Sequence, residues 1–267
     1  MNELFISDLD GTLFNSDARL TDFTAEVINS LTERGISFTY ATARSERSAI
    51  DMTSKLKLNM PCVLMNGVII YDTEKKAYEK AEYISEKLSA EIASLYEKHN
   101  VKGHLYRISG GNLKSYTTLE NDDMLVYEYH KSFYDILGID KENLPIYFTA
   151  NDAYEILLPL KNDVSEIEGT DFTFYEDTYT GKWYLEIFSD KASKANAVKY
   201  LREKYKFDKV TAFGDNLNDL SLFREADVKI AVANAKQELK NSADFVIGSN
   251  DDDGVAKWLK NYMKGLF

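Results

Sequence analysis

Leu4-Phe-Ile-Ser-Asp-Leu-Asp-Gly-Thr-Leu13 is the stretch that decides the fold. Its apolar start, Leu4 to Ser7, stops at an acidic loop with a glycine, Asp8 to Thr12, and a helical pattern follows over residues 21–34. The expected order is strand, loop, helix. Thr21 is placed to cap that helix, Val27, Ile28 and Leu31 give it an apolar face, and Gly35 ends it before the next apolar run, residues 36–40. The unit then repeats. Residues 45–56 read as a second helix, 62–65 as a third strand, and Asn66-Gly67 as a tight turn into Val68-Ile-Ile-Tyr71. Alternation of strand and helix predicts a parallel sheet covered on both faces.

The pattern changes after about Lys80. A helix over residues 85–100 is followed by expected strands near 102–108 and 115–118, a helical stretch around 122–133, and strands near 146–149, 154–158, 172–176 and 182–188. Trp183, Leu185 and Ile187 share one face while Tyr184, Glu186 and Phe188 share the other, as a sheet packed on one side requires. From Ser193 the first pattern returns: a helix to Tyr205, a strand at 209–213, a helix from Leu217, strands at 228–231 and 245–247, and a last helix after Asp253 whose Val255, Trp258 and Leu259 read as core packing. The expected fold class is α/β: a Rossmann-like, doubly wound parallel sheet core over residues 1–80 and 190–267, with residues 81–189 inserted as an α+β cap.

Composition narrows the partners. With 267 residues, 44% apolar and 13% aromatic, the chain can fill a core without staples. The single cysteine, Cys62, excludes an internal disulfide and a cysteine-built zinc site, lies in an apolar run, and fits a reducing cytoplasm. No basic, apolar leader opens the chain and no stretch is long enough to cross a bilayer, so neither secretion nor membrane insertion is expected. A formal charge of −12 repels polyanions, which excludes nucleic acid as a partner and leaves small phosphorylated metabolites. Oligomeric state is not legible.

Ligands of parallel α/β sheets bind at the carboxyl ends of the strands, and four such ends carry chemistry here. The first is Asp8-Leu-Asp10-Gly-Thr-Leu13, where two carboxylates two residues apart, with a glycine that lets the loop turn, can act as nucleophile and proton donor on one substrate. Next come Ala41-Thr42-Ala43-Arg44, whose hydroxyl and amides can hold a phosphate oxygen, and Lys194, which opens a helix. The last is Gly214-Asp215-Asn-Leu-Asn218-Asp219. Acid pair, hydroxyl, lysine and acid pair suit phosphoryl transfer: carboxylates of the first and fourth loops supply the hard oxygens magnesium prefers, and a lysine with a metal neutralises the transferring group.

Asp8-x-Asp10-Gly-Thr, Thr42, Lys194 and Gly214-Asp215-x-x-Asn218-Asp219 resemble the four motifs of the haloacid dehalogenase superfamily of phosphatases. The insert between the second and third motifs is similar to the large cap of its Cof-type subgroup, and Asn66-Gly67 and Asp252-Asp-Gly-Val255 also recur there, so the resemblance spans essentially the whole chain. It implies Asp8 as nucleophile and magnesium ligand, and Asp10 as general acid and base with its carbonyl on the metal. It further implies Thr42, Lys194, Asn218 and the backbone around Leu9 and Ala43 as phosphate binders, with Asp215 and Asp219 at the magnesium. Glycine is usual where this chain has Ala195-Asn196, and Lys191 is the alternative lysine. The resemblance implies a magnesium-dependent phosphatase acting on a sugar phosphate or similar metabolite; a phosphomutase and a phospho-acceptor signalling module are its alternatives.

Each motif also has an ordinary reading. Asp-rich loops are often solvated turns, but four fixed identities match by accident about once in 10⁵ positions. Thr42 alone reads as a turn hydroxyl, Lys194 alone as a solvated helix lysine, and Asp219 alone as a first-turn helix acid. In the insert, His104, Tyr106, Arg107, Tyr179, Lys182 and Trp183 are as readily packing or surface as substrate contacts, and His99 and His130 show no metal-ligand spacing.

Overall fold

In this computed structural model the chain is described over residues 2–120, 127–176 and 181–265. It divides into two compact units, residues 1–80 with 193–267, and residues 81–192.

In the first unit, β1 (Glu3–Ser7) forms because Leu4, Phe5 and Ile6 all bury completely, which explains a continuous apolar run where a half-buried strand would alternate. It pairs in parallel with β2 (Ser37–Tyr40) on one side and β12 (Lys209–Gly214) on the other. β13 (Val228–Val232) and β14 (Phe245–Ile247) extend the sheet beyond β12, giving the order β14-β13-β12-β1-β2. The chain thus builds outward from β1 through α1 (Asp22–Glu33) to β2, and later returns to the opposite side of β1 and builds outward again. That reversal makes the carboxyl ends of β1 and β12 the switch point, where sheets of this kind bind their ligands.

A parallel bridge from Ala41 to Val63 carries the pairing on to β3 (Cys62–Leu64), which makes an antiparallel hairpin with β4 (Ile69–Asp72), followed by β5 (Ala77–Ala81). The remaining helices are α2 (Glu46–Met52), α6 (Lys194–Tyr205), α7 (Asp219–Glu225), α8 (Gln237–Asn241) and α9 (Gly254–Tyr262). Beneath the switch point, Trp258 and Tyr262 of α9 pack on Phe5 and Phe213, with ring centroids 4.9 to 6.1 Å apart. These contacts anchor the two strands that carry the acidic loops.

The second unit contains α3 (Glu86–Lys98), β6 (His104–Ser109), β7 (Asn112–Thr117), β8 (Tyr127–Tyr129), α4 (Phe133–Ile139), β9 (Pro145–Asp152), α5 (Tyr154–Val164), β10 (Thr170–Glu176) and β11 (Trp183–Ser189). Its strands form one sheet in the order β10-β11-β9-β6-β7-β8. Leu105, Phe148, Ala150, Leu185 and Ile187 project from one face into a core with Ile92, Tyr96, Phe133, Leu157 and Leu160 of the helices, and Trp183 packs against it. Arg107 is buried: its Nη1 donates to the carbonyls of Ile136 and Asp140, both at 3.0 Å, at the end of α4. Tyr179 falls outside the described residues.

Two expectations for this unit are corrected. Residues 154–158 are helical, not a strand: Leu157, Leu160 and Val164 bury at helical spacing, and Pro159, which looks like a strand terminator, is accommodated inside α5. Of the helix expected at 122–133, residues 121–126 lie outside the described residues, 127–129 pair with β7 as a strand, and the helix begins only at Phe133, where the Ser132 hydroxyl accepts the amide of Asp135 at 3.1 Å. α8 and β5 had no counterpart in the sequence reading.

The aromatic anchor is measurable. Phe5→Ala should lower the unfolding free energy by about 3–5 kcal/mol in urea titrations, because it removes a fully buried ring and leaves a cavity against Trp258 and Tyr262; a loss under about 1 kcal/mol would show that α9 does not depend on this contact.

Candidate active site

The residues at the switch point are set by backbone geometry first. After β1 the chain makes one wide turn over Leu9–Leu13, closed by the Phe14 amide donating to the Leu9 carbonyl at 2.8 Å. Gly11 has φ +75°, and a Cβ there would fall 2.5 Å from Asp215 Oδ2, so glycine is required both for conformation and for the approach of the fourth loop. The Asp8 amide donates to the Phe213 carbonyl at 3.0 Å, which aligns the two acidic loops side by side.

Lys194 ties the loops together. Its ammonium is 1% exposed and donates to Asp8 Oδ1 at 2.5 Å and to Asp219 Oδ1 at 2.7 Å. The other Asp219 oxygen accepts the backbone amides of Asp215 and Asn216 at 3.0 and 3.1 Å, bracing the fourth loop, while Thr12 Oγ1 donates to Asp215 Oδ1 at 2.9 Å. Ala195-Asn196 do not disturb the turn, because the Ser193 hydroxyl caps α6 by accepting the Asn196 amide at 3.0 Å. Lys191 lies exposed in the turn before it, so Lys194 is the lysine of the cluster.

Electrostatics follow from this burial. Desolvation pushes the Asp8 carboxyl well above its usual range, against the pull of Lys194 and with a further push from Asp219 and Asp215. Asp215 is raised to about 6, by burial first and by Asp219 next. Burial alone would lower the Lys194 ammonium, but Asp219 and Asp8 outweigh it and raise it. With all groups ionised, three carboxylates face one ammonium, a deficit that a divalent cation matches in charge. One oxygen each of Asp8, Asp215 and Asp219 lie within 4.8 Å of one another, and carboxylate oxygens are the donors a hard cation prefers. The donor set fits magnesium.

The other expected residues surround this cluster. Asp10 is exposed and held by a two-pronged pair with Arg44, whose Nε and Nη2 each donate at 2.7 Å, while Arg44 Nη1 donates to Ser48. Thr42 is buried and its hydroxyl accepts the Arg44 amide at 3.1 Å; Leu9 is buried, and Ala43 and Asn218 are exposed. No hydrogen bond among the described residues joins Thr42 or Asn218 to the carboxylate cluster.

Sequence reasoning missed three contributors. Arg44 was read only as part of its loop, and its return to Asp10 depends on tertiary placement. Asn234 and Asn250 form a clamp on the first loop: Asn234 Nδ2 donates to the Gly11 carbonyl at 2.7 Å, Asn250 Nδ2 donates to the Phe14 carbonyl at 3.0 Å, and the Asn250 amide donates to Asn234 Oδ1 at 3.0 Å. The Asp252-Asp-Gly-Val255 stretch has a related task, since Asp253 accepts the hydroxyls of Thr21 and Thr24 at 2.5 and 2.9 Å and so pins the start of α1.

Known proteins resemble this chain over nearly its whole length. A 5-amino-6-(5-phospho-D-ribitylamino)uracil phosphatase of Bacillus subtilis is 26% identical, with 98% of this chain and 96% of that protein covered. A second phosphatase of Bacillus subtilis is 24% identical, with 98% and 100% covered. The crystal structure of a Thermotoga maritima protein superposes with a TM-score of 0.80 at 26% identity, covering 98% and 97% of the two chains. Among the described residues no helix is long and apolar enough to cross a membrane. The family profile described as haloacid dehalogenase-like hydrolase matches residues 5–259, and the chain belongs to that family.

Proposed function

We propose that this phosphatase hydrolyses a small phosphomonoester, a sugar phosphate or similar metabolite, through a phosphoryl-aspartate formed on Asp8. The observation that carries the reading is the buried Lys194 ammonium shared between Asp8 and Asp219, beside Asp215, at the carboxyl ends of β1 and β12. An Asp8 oxygen attacks phosphorus in line with the ester oxygen, and Asp10 gives its proton to the departing alcohol. Asp10 then takes a proton from water, which attacks the phosphoryl-aspartate, releases inorganic phosphate and restores Asp8. Lys194, the Thr42 hydroxyl, Asn218 and the backbone of Leu9 and Ala43 hold the phosphoryl oxygens. Asp8, the Asp10 carbonyl and Asp215, with Asp219 in support, would hold a magnesium ion, which supplies charge neutralisation for the transferring group.

Arg44 sets the Asp10 carboxyl in a fixed plane by its double hydrogen bond. The second unit serves as the cap that sets substrate preference. The Bacillus subtilis relative is named for a phosphorylated ribityl compound, which supports a small metabolite as substrate. Buried Cys62 suits work in a reducing cytoplasm.

The first test is phosphate release from a panel of sugar phosphates, nucleotides and an aryl phosphate, with and without magnesium. Release should require magnesium, vanish in Asp8→Asn, and fall by about 10²–10⁴-fold in Asp10→Asn; appreciable turnover by Asp8→Asn would overturn the assignment.

The raised carboxyl of Asp215 gives a second test. It binds a proton in the folded state at pH values where the unfolded group, at 3.8, has lost it, so its contribution to stability falls as pH rises from 3.8 through about 6. In chelator, Asp215→Asn should therefore gain thermal stability relative to the parent on going from about pH 4 to pH 7. Magnesium should reverse the ranking at the higher pH. A difference in Tm that stays constant with pH and metal would remove Asp215 from the site.

A further inference from the structure

Arg107 stands where the strand pattern calls for an apolar side chain. It follows Leu105 by two residues in β6, on the face that carries the core of the second unit, and it is 1% exposed. Its Nη1 is committed to the carbonyls of Ile136 and Asp140, where a cation suits the end of α4. Nε is buried with no hydrogen-bond partner, and among the described residues no acceptor reaches Nη2.

The edge formed by Nε and Nη2 is the one that grips a carboxylate with two parallel bonds. Arg44 uses that edge on Asp10, at 2.7 Å for each bond. For Arg107 the described residues supply no such carboxylate. Asp140 gives it only a carbonyl, while the Asp140 carboxylate accepts Asn143 Nδ2 at 2.9 and 3.0 Å. Burial lowers the pKa of the guanidinium, against a weaker upward pull from Tyr116 and Asp140, and the Tyr116 ring lies 5.9 Å from the guanidinium carbon. Capping α4 accounts for one nitrogen of the guanidinium; a buried cation without a counter-ion is otherwise a poor source of stability.

The guanidinium lines a cavity of about 270 Å³, built from α3, α4 and the loop that leads to β9, all within the second unit. Leu137, Leu144 and Pro145 give it an apolar wall, and the Tyr134 hydroxyl donates to the Ala90 carbonyl at 3.5 Å, joining the two helices. Its charged lining is balanced, Glu86 and Asp140 against Arg107 and Lys141. That balance and the apolar wall suit a singly charged anion with a short carbon tail and oppose a dianion. The volume falls just below the range of sites for drug-sized molecules, which starts at about 300 Å³.

The geometry points to a binding site for a small monocarboxylate in this cavity, with the Nε and Nη2 edge of Arg107 pairing its carboxylate and Leu137, Leu144 and Pro145 receiving its carbon tail. The inference is independent of the phosphatase reading, since no residue of the acidic cluster takes part in it.

Butyrate is the probe, titrated at constant ionic strength into the isotope-labelled full-length protein and followed by NMR at the backbone amides of residues 136–141, with butyramide as an uncharged molecule of the same shape. Butyrate should shift these amides saturably with a Kd of about 1 mM. Butyramide should bind at least about tenfold more weakly, as should butyrate to Arg107→Met and to Gly138→Leu. Gly138 lines the cavity, and a Cβ at that helical position meets nothing within 4 Å, so Gly138→Leu crowds the cavity in a folded protein and decides the matter if Arg107→Met does not fold. Inorganic phosphate, whose second charge meets Glu86 and Asp140, should also bind at these amides at least about tenfold more weakly than butyrate. No shift at about 20 mM butyrate, equal binding of butyramide, or binding unchanged in the folded variants overturns the site. Phosphate binding as tightly as butyrate overturns the assignment of a monocarboxylate.

Discussion

One buried ammonium holds the site together. Lys194 is sealed from solvent, and a lone charge in that position would be strongly disfavoured. It is stable only because Asp8 and Asp219 approach from two different strand ends, and they in turn are tolerated in the interior because Lys194 lies between them. Removing Lys194 would leave the Asp8 and Asp219 carboxylates buried with no cation between them. The constraint reaches outward through Asp219, whose second oxygen fixes the backbone of the fourth loop, and through Gly11, which must be glycine to let Asp215 approach. A cluster of this kind is poor material for stability alone. Its excess negative charge is one that a bound divalent cation would offset.

The readable part of this protein is what local sequence encodes. Leu4-Phe-Ile is apolar on both sides because β1 is central, and the abrupt change to Asp8 marks where the strand leaves the sheet; the same contrast marks Gly214-Asp215. Those two boundaries contain most of the site. Arg44, Asn234 and Asn250 were not legible because their partners are chosen in three dimensions. An arginine four residues past a strand, or an asparagine after Val232, looks like any polar loop residue until the chain is folded and the Asp10 carboxylate or the Gly11 carbonyl is found beside it.

The second unit was less transparent for a related reason. Short apolar runs fit a strand and a helix equally well, and residues 154–158, expected as a strand, are helical because the apolar spacing that marks the helix extends to Val164. Where alternation was long, as in β11, the reading held: Leu185 and Ile187 reached the core and Tyr184 and Glu186 the opposite face. Periodicity says which side a residue takes. It does not say what waits there.

The pairing of β1 with β12 also orders events during synthesis. Residues 3–7 emerge from the ribosome before the second unit, yet their hydrogen-bonding neighbour on one side, residues 209–213, is made only after the whole of it. The inserted unit is continuous in sequence and can form its own sheet and core as it emerges. The unit that carries Asp8 cannot, because half of its central pairing is still missing and the loop to be closed is long. Asp8 is translated before the whole of the second unit, yet finds its surroundings only after that unit has been made.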